Sequence, residues 1–213
     1  MKLNIGPGKS AAYFQKKRRD WELIDAEPSR SSKGLKMDFN VFNKIDRPNE
    51  YYSRVYASHV LEHVHPAHTR RFLKEINRVM KPAGVLRIII PDARKSIEQY
   101  LSGTKFKLFE ERKAKHGQSL TPPMTDFEAM RMCFVSVTSQ PVLKAGKDYI
   151  PFAHQNAWDF ESIRADLIRS GFRADKIVKS SYGESCVPDF HFETKLNTEA
   201  RRFDRSLYIE VVK

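Results

Sequence analysis

Glycines or a carboxylate follow an apolar segment at three predicted strand ends, near residues 6–8, 25 and 38. The first strand runs directly into Gly6-Pro7-Gly8, and glycine lets backbone approach a ligand closely because it has no Cβ. Asp25 ends the next apolar run, and its two carboxylate oxygens can accept hydrogen bonds from both hydroxyls of a ribose. A helix after the glycine turn would point its first N–H groups at the same ligand. This pattern predicts a nucleotide or nucleoside pocket.

Two different ligands suit the glycine turn. The spacing Gly6-x-Gly8-x-x-Ala11 matches the dinucleotide fingerprint, in which the helix start holds a pyrophosphate. S-adenosylmethionine has no phosphate, so it needs only room for its methionyl and ribose parts. After the third predicted strand, Asp38 could accept from an adenine amino group while the Phe39 ring stacks nearby. These residues alone leave both ligands open.

The elements that must position these residues alternate between strands and helices, which predicts an α/β fold with a doubly wound, mostly parallel sheet. One domain over 1–213 is expected, with a helical insertion or lid at about 93–150. The predicted strands are at about 2–5, 21–25, 34–37, 54–58, 85–90, 176–182 and 207–211. The predicted helices are at about 59–65, 68–80, 93–102, 105–116, 124–138 and 158–170. The segment 81–84 is predicted to end the second of these helices.

The composition favours anionic partners. The 213-residue chain carries a formal charge of +12, with basic clusters at 16–19, 105–115 and 201–205. Such a charge suits phosphates, nucleotide sugars, acidic glycans or nucleic acid, but no nucleic-acid recognition module is evident. No apolar run is long enough for a membrane span, and no signal peptide is evident, so we expect a cytoplasmic protein with reduced Cys133 and Cys186.

Five stretches of the chain resemble the class I S-adenosylmethionine-dependent methyltransferases, and most closely a small branch associated with sugar and lipopolysaccharide biosynthesis. The stretches are KLNIGPG (2–8), WELID (21–25), VYASHVLEH (55–63), EINRVMKPAGVLRIIIPD (75–92) and RSLYIE (205–210). The resemblance covers about 1–92 well and 150–213 loosely. It implies a Rossmann-like sheet of seven strands, the last of them antiparallel, and S-adenosylmethionine as the cofactor.

The resemblance also implies roles for individual residues. The turn Gly6-Pro7-Gly8 would receive the cofactor and Asp25 would hold its ribose. Asp38 and Phe39 would meet the adenine, Ser58 and His59 would line the floor of the pocket, and His154 resembles a position that faces the active site. The family commonly has Cys in place of Pro7 and two glycines in place of Ala83-Gly84.

The segment from His59 to His63 spells H-x-x-E-H, the inverted zinc-protease motif. On a helix both histidines would share a face, as two zinc ligands require. Proteolysis would, however, leave the glycine turn and Asp25 without a role. Some methyltransferases of this fold bind a divalent ion through E-x-x-E-H, but His59 replaces the first acid. We therefore expect no metal, and we interpret Glu62 and His63 as residues that cap and orient the helix.

The sequence thus predicts an S-adenosylmethionine-dependent methyltransferase that O-methylates a sugar, a glycan intermediate or another small anionic acceptor. A hydroxyl acceptor needs a base, and His59, His63 and His154 are the candidates because histidine titrates near neutral pH. Three alternatives stay open: an RNA methyltransferase, an NAD-dependent oxidoreductase, and a non-catalytic nucleoside-binding protein.

Overall fold

Seven β-strands form one mixed sheet in the computed structural model, which describes residues 1–25, 35–36, 44–103, 105–117, 121–135, 153–196 and 198–213. The strands are β1 (Lys2–Ile5), β2 (Trp21–Asp25), β3 (Leu35–Lys36), β4 (Tyr52–Ser58), β5 (Met80–Pro91), β6 (Ile177–Ser180) and β7 (Ser206–Val212). Their order across the sheet is β3-β2-β1-β4-β5-β7-β6. The strands β3, β2, β1, β4 and β5 are parallel neighbours, whereas β7 runs antiparallel to β5 and β6. The predicted mixed α/β sheet is confirmed.

Helices connect the strands and cover both faces. They are α1 (Ala11–Lys17), α2 (Pro66–Val79), α3 (Ala93–Leu101), α4 (Lys107–His116), α5 (Asp126–Arg131) and α6 (Phe160–Arg169). One core cluster joins the sheet to α2 and α6 through residues such as Phe72 and Ile163. The other, on the opposite face, is aromatic and packs Phe14 of α1 against Phe192. The alternation of strand side chains between these clusters follows from the two-residue period of a pleated strand. In the described ranges, no helix is both long and apolar enough to cross a membrane.

The helix predicted over about 59–65 is wrong. Its place is taken by a single 3-10 turn at Leu61–His63, and α2 begins only at Pro66. His59 has φ +53°, a left-handed conformation that cannot continue into an α-helix. The interpretation of Glu62 as a helix cap is also wrong, because the cap of α2 is His65, whose ring accepts from the Ala67 N–H.

The segment after α2 is part of a strand rather than a stop between elements. β5 starts at Met80, opposite Tyr52, and its register with β4 shifts before Arg54 pairs with Val85. The irregularity absorbs the extra residues, with Ala83 at φ +59°. The predicted strand at 85–90 therefore covers only the regular part of β5.

Three helices lie in the described part of the predicted insertion. α3, α4 and α5 match the predicted helices, although α5 ends at Arg131 and residues 136–152 lie outside the described part. α4 and α5 enclose a small core of their own that contains Phe109, Met130 and Cys133. This core holds Cys133 in a buried position, and its carbonyl contacts His154. Both cysteines are free thiols, as predicted.

Candidate active site

The glycine turn lies at the carboxyl end of β1, the central parallel strand. Gly6 has φ +63° and Gly8 has φ +47°, so both adopt the left-handed conformation that favours glycine. Between them Pro7 accepts two hydrogen bonds at its carbonyl from Ser10, through the backbone N–H at 2.9 Å and the hydroxyl at 2.6 Å. A 3-10 turn at Gly8–Ser10 then leads into α1. The turn is thus held in place by its own polar contacts.

Two polar side chains from β1 and β2 adjoin the turn. Asp25 is buried at the end of β2, and its Oδ2 accepts a hydrogen bond from the Gly8 N–H at 3.2 Å. Asn4 is buried on β1, and its Nδ2 has no hydrogen-bond partner among the described residues. An amide left without a partner in a buried position costs about 1–3 kcal/mol, so a ligand that accepts from Asn4 would recover that cost.

His59 stands at the end of β4 in a strained conformation. Its left-handed backbone turns the side chain so that Nδ1 donates to Glu62 Oε1 at 3.0 Å, while Nε2 lies 3.3 Å from Ser206 Oγ. A non-glycine residue with positive φ costs about 1–2 kcal/mol, and such residues cluster at functional sites. The hydrogen bond to the carboxylate fixes the Nδ1–H tautomer, which leaves the lone pair on Nε2.

Glu62 is buried at the centre of this histidine group. Burial opposes its ionisation, but the hydrogen bond from His59 and the electrostatic interactions with His59, His63 and His154 outweigh burial and lower the pKa of Glu62 to about 2. The carboxylate is therefore ionised at neutral pH. Its second oxygen, Oε2, is buried and makes no hydrogen bond to any described residue.

His63 and His154 face each other beside Glu62, with ring centroids 5.1 Å apart. His63 Nδ1 lies 3.2 Å from the carbonyl of Ala153, and His154 Nδ1 lies 2.9 Å from the carbonyl of Cys133. Burial lowers the pKa of His154 below its ordinary value, although Glu62 acts in the opposite direction. The structure thus brings together His59, His63 and His154. His154 is distant from the other two in sequence, and the helix on which His59 and His63 were predicted does not form.

Two neighbouring cavities share part of their lining at His59. The glycine-turn cavity, of about 420 Å³, is lined by Gly6, Pro7, Ser58 and others, and the histidine cavity, of about 500 Å³, is lined by His63, His154 and others. His59 and one further residue, Glu199, line both cavities. Cavities of this size fit small organic ligands. The arrangement can therefore bring two different ligands together beside His59.

Basic side chains complete the histidine cavity. They are Arg112 and Lys115 from α4 and Arg205, which precedes β7. Arg205 lies 3.6 Å from Glu111, but the Nε of Arg112 is buried and has no hydrogen-bond partner in the described ranges. A buried guanidinium N–H without an acceptor favours the entry of an anionic group.

Some predicted site residues lie apart from these cavities. Asp38 and Phe39 fall outside the described residues. Asp25 contacts the glycine turn but is not part of the cavity lining. Asp92, which follows β5, is also turned away from these cavities: it is buried and caps α3 by accepting from the Lys95 N–H at 3.3 Å.

Asn4, Arg112 and Glu199 also belong to the site but were not predicted as site residues from the sequence. Asn4 carried a signal, because it is a polar residue between the apolar Leu3 and Ile5 of β1. Arg112 belongs to the basic cluster at 105–115, but nothing in the sequence distinguishes it from its neighbours. Glu199 is brought to the site by a 3-10 turn at Glu199–Arg201, which has no sequence periodicity to predict it.

The comparison with protein families gives one match over most of the chain. A family model described as a methyltransferase domain matches residues 3–138, which include all but the first residue of β1, the glycine turn, β2 to β5 and α1 to α5. No curated protein matches the chain significantly.

Solved structures share the fold at low identity. The chain is similar to SAM-dependent methyltransferases from Archaeoglobus fulgidus and Mesorhizobium loti, each with 14% identity and a TM-score of 0.52. All of this chain is covered in both cases, with 85% of the first protein and 90% of the second. One from Methanosarcina mazei also has 14% identity and a TM-score of 0.52, covering 99% of this chain and 90% of that protein.

Proposed function

The chain belongs to the methyltransferase domain family and is an S-adenosylmethionine-dependent methyltransferase, and from this premise we propose that it O-methylates a small anionic acceptor of the sugar or glycan-intermediate class. The observation that carries the proposal is the junction of the two cavities at His59 and Glu199. One cavity contains the glycine turn and the other contains basic side chains. A methyl donor in the first and an acceptor in the second would meet beside His59.

The glycine-turn cavity fits S-adenosylmethionine. Asn4 supports this assignment, because its buried Nδ2 needs an acceptor and a carboxylate or ribose oxygen supplies one. Gly8 also supports it, since a Cβ at this position would meet no described atom within 4 Å and the space beside the backbone is open. Asp25 would receive the ribose hydroxyls, and Asp38 with Phe39 would meet the adenine. When bound, the cofactor supplies a methyl group on a positively charged sulfur.

His59 is the base that we propose for the acceptor hydroxyl. Glu62 holds its Nδ1–H, and this fixes Nε2 as the atom that receives the proton. The contact between Nε2 and Ser206 Oγ is long, at 3.3 Å, so an acceptor hydroxyl can replace it. Nε2 of His59 would take the hydroxyl proton as the acceptor oxygen takes up the methyl group that the cofactor would supply. His63 and His154 line the same cavity and would contact the acceptor from the other side.

Arg112 is the residue that we propose for recognition of the acceptor's negative charge. Its partly buried guanidinium has an N–H without an acceptor, and a phosphate or carboxylate would supply one. Lys115 and Arg205 add positive charge to the same cavity. We also propose that residues 93–150 form the insertion that covers this cavity as a lid, since α4 contributes Arg112 and Lys115 to its lining.

The test is a methyl-transfer assay with radiolabelled S-adenosylmethionine and four acceptor sets: sugar phosphates, nucleotide sugars, neutral sugars and RNA. We expect label in an anionic sugar set and far less in the neutral sugars. Arg112→Gln should raise KM for the anionic acceptor about 10- to 100-fold, because it removes one charge-assisted hydrogen bond that contributes about 1.5–3 kcal/mol. Arg173→Gln is the matched control, because Arg173 is exposed and pairs with Asp175. Label in RNA alone, or equal labelling of neutral and anionic sugars, would overturn the proposed acceptor class.

A further inference from the structure

The buried carboxylate of Glu62 has one oxygen that is satisfied and one that is not. Oε1 accepts from His59 Nδ1 at 3.0 Å, whereas Oε2 has no hydrogen-bond partner in the described part of the chain. The side chain is 1% exposed, so water does not hydrate it freely. An ionised carboxylate oxygen in such a position is costly unless a cation or a donor faces it.

The two imidazoles beside Glu62 are oriented by backbone carbonyls. A carbonyl oxygen only accepts, so the contacts of Ala153 with His63 and of Cys133 with His154 place the hydrogen on Nδ1 of each ring. The lone pair of each imidazole is then on Nε2. Metal-binding histidines have this arrangement, in which the nitrogen that does not bind the ion donates to a carbonyl or carboxylate.

Glu62, His63 and His154 form a compact set of potential ligands. One ligand atom from each residue lies within 4.8 Å of the other two. An ion with bonds of about 2.0–2.2 Å requires separations of about 3.0–3.5 Å between these atoms. The ligand atoms must therefore move about 1 Å closer to one another when an ion binds. Rotation of the side chains can provide this movement. The three residues line the histidine cavity, so the remaining coordination positions would open onto it.

We propose that Glu62, His63 and His154 bind a divalent transition-metal ion whose open coordination positions face the acceptor. Two imidazoles and one carboxylate favour Zn²⁺, Co²⁺, Mn²⁺ or Fe²⁺ over Mg²⁺ and Ca²⁺, which prefer oxygen ligands. With Oε2 on the ion, Oε1 of Glu62 still accepts from His59, so one carboxylate connects the ion with the proposed base. Hydroxyl groups of the acceptor would bind at the open positions and be oriented there. This inference goes beyond methyl transfer, because the ion site stands on three side chains outside the glycine turn.

The test is calorimetric titration of the chelator-treated protein with CoCl₂ and with MnCl₂, and with MgCl₂ as the comparison ion, in the absence of S-adenosylmethionine and acceptor. We expect one ion per chain and a visible Co²⁺ absorption spectrum of a site with nitrogen ligands. His154→Ala and Glu62→Gln should each weaken ion binding by about 10- to 100-fold or more. A loss of this size is found even for residues that only orient a metal ligand. His191→Ala is the matched control and should bind as the wild type does, because His191 is exposed and lies outside the histidine cavity.

Circular dichroism of each variant shows whether it is folded, and His154→Gln serves as a second variant because an amide keeps most of the volume of the ring. The inference is overturned by a wild type that binds neither ion, by folded His154 variants that bind as the wild type does, or by binding of Mg²⁺ alone. Methyl transfer by a protein that binds no ion would overturn this inference and leave the proposed function intact. Ion binding without methyl transfer would overturn the proposed function and leave this inference intact.

Discussion

Replacing Gly6 with alanine should destabilise the protein by about 2–5 kcal/mol, because two costs add at this position. The left-handed conformation, at φ +63°, costs a residue with a Cβ about 1–2 kcal/mol. The new Cβ would also lie 2.3 Å from Cγ2 of Val60, and relief of such an overlap in a packed core costs about 1–3 kcal/mol. Gly8 is the matched control, since at φ +47° its Cβ would meet no described atom within 4 Å. Gly8→Ala should therefore cost only about 1–2 kcal/mol.

Thermal and urea unfolding of the two variants measures the difference. For a chain of this size each kcal/mol lowers Tm by about 2–4 °C, so Gly6→Ala should melt about 2–12 °C below Gly8→Ala. Adding Val60→Ala to Gly6→Ala makes room for the new methyl group and should show a favourable coupling of about 1–3 kcal/mol in a double-mutant cycle. Equal losses from both alanine variants, or a coupling of zero, would refute the packing of the turn against Val60.

Three further outcomes follow from single contacts. Asp25→Asn should weaken S-adenosylhomocysteine binding about 10- to 100-fold by calorimetry, because a carboxylate that accepts from ribose hydroxyls contributes about 1.5–3 kcal/mol; unchanged affinity would contradict its role. Arg87→Met should lower Tm by about 6–20 °C, because it leaves the Glu193 carboxylate, paired at 2.8 and 3.0 Å, buried without its partner; a loss below about 2 °C would contradict this. Burial and the Glu210 carboxylate raise the pKa of Cys186 to about 11, so little of its thiol is ionised at pH 8. Cys186 should therefore react with a disulfide reagent on the order of a hundredfold more slowly than free cysteine at pH 8, and its rate should rise toward pH 11. Reaction at the rate of free cysteine would contradict that pKa.

The sequence predicted the elements whose signals are local. β1, the glycine turn and β2 follow one another within 25 residues, and their apolar runs and glycines indicate both the strands and the close approach of backbone. The parallel order followed from the alternation of strands with helices. His63 was identified as a candidate from its type and spacing alone, and the structure places it against His154, which is 91 positions away in the numbering.

Other features depend on contacts that no local pattern contains. His59 adopts positive φ, although histidine is not a residue that a turn pattern predicts there, and this conformation replaces the predicted helix with a 3-10 turn. The irregular start of β5 depends on its pairing with Tyr52 across the sheet. Arg112 reaches the histidine cavity because α4 packs on α5 over a small core, which is a tertiary contact. Such positions are decided by packing rather than by propensity.

Calorimetry of the wild-type protein with S-adenosylhomocysteine and, separately, with NAD shows whether the glycine-turn cavity holds S-adenosylmethionine. We expect binding of one S-adenosylhomocysteine per chain and no heat of binding with NAD. Binding of NAD with no binding of S-adenosylhomocysteine would contradict it.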